Sequence, residues 1–141
     1  MNPMIRRQQA AQATVDRFLG KPLSYGKDDC ARMAVFCLKQ LGVKVSLLKA
    51  GSYGSPRGAA RVLKSLGHDS LSSAVDAIGL PRIAPAMCLA GDIMALPADE
   101  SGAVALAVAV GNGRALAFWG GADGTCAIIQ PLEYSHAWRA I

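Results

Sequence analysis

Apolar positions recur at helical spacing through the first half of the chain and gather into short runs in the second. The clearest stripe is Cys30, Met33, Ala34, Cys37, Leu38 and Leu41, which predicts a helix from Cys30 to Leu41 with one buried face. Asp28 or Asp29 stands where an N-cap is needed, and Gly42 follows as the C′ residue. An earlier helix is expected over residues 5–19, where Ile5, Val15, Phe18 and Leu19 stand among glutamines and alanines and Gly20 and Pro22 end the run. After the turn-rich stretch from Gly51 to Gly58, Ser55 caps a third helix with Pro56 at its first position. Ala59, Val62, Leu63 and Leu66 supply its inner face. A fourth, short helix follows from Leu71 to Ile78, and the segment from Pro81 to Pro85 reads as extended.

From Gly91 onward the period changes. Asp92–Leu96, Ala103–Val110, Arg114–Phe118, Cys126–Ile129 and Ala137–Ile141 read as strands. Gly111-Asn112-Gly113 marks a tight hairpin, because Asn and Gly accept the positive φ such turns require. Gly120 to Gly124 marks a second turn. Helices first and an antiparallel meander after them predict an α+β domain, with the helices on one face of the sheet.

The 141 residues suit a single domain spanning 1–141. Half the residues are apolar and 18% are charged, which excludes a disordered chain. The longest apolar run, Ala103 to Val110, is too short to span a bilayer. The N-terminus carries Arg6 and Arg7 without an apolar core behind them, so no secretory leader is expected. Residues 1–64 hold 12 of the 15 basic side chains and 3 of the 10 acidic ones, a net +9, while residues 65–141 carry −4. That asymmetry makes the first half a candidate docking face for an acidic partner, with Arg6, Arg7 and Arg17 as its first residues to test. The basic residues are scattered singly and no aromatic platform accompanies them, so nucleic acid is not the expected partner.

Chemistry concentrates at Tyr25-Gly26-Lys27-Asp28-Asp29-Cys30. A cysteine in the first turn of a helix meets unpaired amides and the positive end of the macrodipole, which favour a thiolate nucleophile. Asp28 and Asp29 oppose that by like charge unless they cap the helix. Cys30 also opens the apolar stripe of its helix, so a core role and a nucleophilic role both stay open. The other cysteines, Cys37, Cys88 and Cys126, form no C-x-x-C pair, so neither a metal site nor a cofactor is expected, and all four thiols are expected to be free.

Taken in order, the Tyr-Gly-x-x-Asp-Cys opening, Gly51-Ser52-Tyr53 with Gly58-Ala59-Ala60-Arg61-Val62-Leu63, the Gly91-Asp92-Ile93 strand, the Gly-Asn-Gly hairpin and the terminal Ala137-Trp138-Arg139 form a recognisable series. It resembles the NlpC-type, papain-like cell-wall cysteine peptidases, and within that superfold a bacteriophage tail family without an established activity. The resemblance implies a papain-like fold, Cys30 at the nucleophile position and Asp29 as the helix cap beside it. It puts the base histidine at the start of the strand leading to the hairpin, where this chain has Ala105. The third polar member falls between Ala115 and Phe118, where only Ala, Leu, Ala and Phe stand. His68 and His136 are the only imidazoles; Trp119 and Trp138 read as packing or contact residues. The resemblance further implies a virion component at the tail tip or baseplate, acting through contacts with other tail proteins of the hub or tip. The alternative it leaves is an active peptidase or amidase that cleaves peptidoglycan peptides as the phage genome crosses the cell wall.

Overall fold

The computed structural model describes residues 2–45, 54–97, 104–120 and 124–141. The Asn2 side chain accepts a hydrogen bond from the Met4 amide and Pro3 fills the first turn, so the first helix, α1, is Pro3–Phe18 and begins before the first apolar residue of its pattern. Helix α2 is Cys30–Gln40, α3 Pro56–Ser65 and α4 Leu71–Ile78. Ser55 and Ser70 cap the last two through bonds from the Gly58 and Ser73 amides. Of the quoted motifs, Gly51-Ser52-Tyr53 lies outside the described residues, as do Ala103 and the turn residues 121–123.

Among the described residues six strands follow: β1 Arg82–Ile83, β2 Ile93–Ala95, β3 Leu106–Gly111, β4 Arg114–Trp119, β5 Thr125–Ile129 and β6 His136–Trp138. A short 3-10 turn, Pro85–Met87, separates the first two. All pairings are antiparallel and the order across the sheet is β1-β6-β2-β3-β4-β5. Strands β2 to β5 therefore form the expected meander. The last strand departs from it: β6 returns to the far side of β2, with Ala95 opposite His136, and β1 closes that edge. At the β3–β4 hairpin Asn112 and Gly113 both take positive φ, 56° and 73°, as the tight turn demands.

The main core lies between the helices and one sheet face. Ala10 and Phe18 from α1, the α2 stripe and Val75 from α4 meet Ile93, Ala95, Leu106, Val108, Leu116, Cys126 and Trp138. On the opposite face the strands present Ala107, Ala109, Ala115 and Ala117, small enough for Met94, Leu96 and the half-buried Cys88 and Tyr134 to cover them.

One buried ionic cluster ties the ends of the chain to this sheet. Asp92, fully enclosed at the start of β2, accepts from Arg7 at 2.7 Å and Arg139 at 2.9 Å, and from the amides of Leu89 and Ala140. Arg7 also donates to the main-chain oxygens of Ala90 and Ile141. Gly91, just before Asp92, takes φ +90°, a backbone conformation that favours glycine. Among the described residues no helix is long and apolar enough to cross a membrane.

Candidate functional site

Asp29, and not Asp28, is the N-cap of α2. Its two carboxylate oxygens accept from the Arg32 and Gly26 amides, each at 2.8 Å, so one side chain fastens both the helix terminus and the loop entering it. Gly26 turns through φ +85° to allow this. Asp28 faces the other way and pairs with Arg17 at 3.1 Å. The loop thus delivers Cys30 to the first turn of α2, as the motif implies.

What surrounds the sulfur is apolar. Cys30 is half-buried and packs against the main core cluster, beside the start of β3. Burial pushes its thiol up to about 11, and the Asp29 carboxylate adds to the push. The backbone N–H groups of Leu106, Ala31 and Cys30 itself favour the thiolate without overcoming burial. Two of these amides belong to the α2 terminus and the third to β3; together they face a neutral S–H.

Ala105 is half-buried on the face of Met94 and Ala107, whereas Cys30 packs on the face of Leu106 and Val108. Leu116 and Phe118 are the β4 side chains on the Cys30 face; Ala115 and Ala117 turn away. His136 stands in the same row as Ala95 and Leu106, two strand spacings from Leu106, or roughly 10 Å between backbones. Its Nδ1 lies 3.0 Å from Arg82 Nη1. A guanidinium only donates, so Nδ1 accepts and the proton sits on Nε2. Arg82 also pairs with Asp76, and Asp76 accepts from Trp138 Nε1 at 2.8 Å. Arg82, with Trp138 second, holds the Asp76 carboxyl down at about 2. His136 thus belongs to a cluster that docks α4 on β1 and β6. His68 follows α3, where its amide donates to the Leu63 carbonyl. Among the described residues no hydrogen bond joins either imidazole to Cys30.

The arginines expected to dock a partner divide. Arg7 is 2% exposed and spends its charge on Asp92, so it cannot meet a partner; a cation in an exposed-looking polar run has been drawn inward by an acid 85 positions away. Arg6 is exposed and caps the carboxyl end of α2, donating to the Leu41 carbonyl at 2.6 Å. Arg17 remains accessible at the other end of α1, with its guanidinium over the Phe18 ring.

A family profile described as "Domain of unknown function (DUF6950)" matches residues 4–140. No curated protein matches the chain. Among solved structures the fold is similar to NlpC2 from Trichomonas vaginalis, with a TM-score of 0.56 over 95% of this chain at 17% identity. The chain spans about half (47%) the length of that protein. The likeness establishes an NlpC-type, papain-like α+β fold.

Proposed function

The chain belongs to the DUF6950 family, and from that premise we propose that it is a catalytically silent NlpC-like domain serving as a structural or assembly component of a phage tail tip. The observation that carries the silence is the apolar setting of the half-buried Cys30, with the thiol raised to about 11 and Leu106, Leu116 and Phe118 on its sheet face. A cysteine hydrolase needs a thiolate, or a base within reach of the thiol; the two imidazoles are engaged elsewhere or held at another helix end. The tail setting is supported by the ordered resemblance of Tyr25–Cys30, Gly91–Ile93 and Ala137–Arg139 to a phage tail family. A fold retained without its chemistry works through its surface.

Two experiments test this. At pH 7.4 iodoacetamide should alkylate Cys30 about 100-fold or more slowly than free cysteine, since a pKa near 11 leaves that much less thiolate than one near 8.5. Purified peptidoglycan incubated with the wild type or with Cys30→Ser should release no muropeptide in either case. Release by the wild type that is lost in Cys30→Ser would overturn the silent reading. The amides around the sulfur favour that alternative, an active peptidase or amidase. Tail-tip placement is checked by proteomics of purified particles and of tail-assembly intermediates. Absence from both would reject it.

A further inference from the structure

The α2 stripe that builds the core leaves Arg32, Val35, Phe36 and Lys39 on another side of the helix, again at i, i+3, i+4 and i+7. Together with the end of α1 these residues line a groove of about 390 Å³. Its lining carries the cations Arg17, Lys27, Arg32 and Lys39 and the half-buried apolar side chains Phe36 and Val45, with Phe18 beneath them, and among the described residues no carboxylate lines it. Arg17 is paired with Asp28; among the described residues neither Lys27 nor Lys39 is joined to an acid, and both are exposed.

Four cations around an apolar hollow select for charge and shape together. Converging positive charges raise the local concentration of an anionic partner and orient it, while an apolar floor rewards a side chain that leaves water. A nucleic acid fits less well. The Phe18 ring meets Phe36 edge-on at 5.7 Å and carries the Arg17 guanidinium 4.6 Å from its centroid, so it offers no open face for a base. A lipid surface would need a protruding apolar face, and this one is recessed.

We infer that this groove binds an acidic peptide segment of a partner protein, seating one bulky apolar side chain on the half-buried Phe36 and Val45 between carboxylates that meet Lys27 and Lys39. The inference deepens the proposed role in protein contacts and names the partner's chemistry. It stands or falls separately from catalytic silence and from tail placement, because its test uses the isolated full chain.

A fluorescein-labelled peptide, Glu-Asp-Glu-Leu-Phe-Asp-Glu-Glu-Gly, is titrated by fluorescence anisotropy. The Lys27→Glu/Lys39→Glu variant should bind roughly tenfold or more weakly, and raising salt should weaken the wild type severalfold. Arg114→Glu, an exposed charge on the β3–β4 hairpin, should leave affinity within about twofold. A peptide with Gly in place of Leu and Phe should bind several-fold less well, and the Phe36 ring resonances should shift on binding the parent peptide. Unchanged affinity in the double-lysine variant, with its NMR spectrum still folded, would overturn the inference. So would failure of the peptide to bind, whether or not oligothymidine or phosphatidylglycerol vesicles do.

Discussion

Asp92→Ala should lower the unfolding free energy by about 3–5 kcal/mol, the range seen when one partner of a buried ion pair is removed. For a domain of this size that is roughly 10–15 °C in Tm. The carboxylate is fully enclosed and serves four donors: the guanidinium groups of Arg7 and Arg139 and the amides of Leu89 and Ala140. Alanine would leave Arg7, 2% exposed, as a buried charge with only the main-chain oxygens of Ala90 and Ile141 as partners. It would also release the segment after β6 that Asp92 holds through Ala140. Arg139→Ala is the internal comparison. Arg139 is partly exposed and its loss leaves the Arg7–Asp92 pair intact, so about 1 kcal/mol is expected. Urea melts of both variants test the ranking; an Asp92→Ala protein within about 1 kcal/mol of wild type would show that the cluster adds nothing to stability.

That cluster also marks where a sequence stops being readable. The α2 helix, the Ser55 cap and the Asn112 turn are decided by residues within a few positions of one another, and each stands where its local pattern puts it. The start of α1 was legible too, in Asn2 and Pro3, although no apolar residue announces it. The place of β6 beside β2 is set by contacts across some forty residues, Ala95 with His136 and Asp92 with Ala140, and no local pattern contains them. Arg7 reads as a surface cation in a run of polar residues; only the folded sheet brings Asp92 and Gly91 beneath it. The same division runs through the candidate site. Position and cap of Cys30 are local, whereas the state of its thiol depends on β3, some seventy-five residues on.

Two influences meet at that sulfur. The helix terminus offers amides that stabilise negative charge, an effect confined to the first turn. Enclosure by the core removes the water that a thiolate requires, and Asp29, indispensable as the cap, contributes a like charge at close range. The cap that builds the site therefore also works against its chemistry. An active relative of this fold would need an imidazole within reach of the sulfur, where this chain has Leu106, Leu116 and Phe118; His136 shares that sheet face but stands two strands away, held by Arg82.

Alkali should unfold the protein through two deeper thiols. Cys37 and Cys126 are 0% and 1% exposed; the first donates to the Gly91 carbonyl and the second to Met33 Sδ. Burial pushes Cys37 up to about 11 and Cys126 to about 12. In the unfolded chain both ionise near 9.0. Above that pH the unfolded state has released protons that the native state still holds, so stability falls as pH rises. The slope is about 1.4 kcal/mol per pH unit for each thiol, and is lost only when the native thiols themselves ionise. From pH 9 to pH 11 the pair together should remove roughly 4 kcal/mol, a large share of the stability of many domains. Urea melts between pH 8 and pH 11 should therefore show a steep decline that flattens in Cys37→Ala/Cys126→Ala, once each curve is referred to its own value at pH 8. Equal slopes in the two proteins would assign the alkaline transition to the half-buried thiols of Cys30 and Cys88 or to tyrosines and lysines, and leave Cys37 and Cys126 without a part in it.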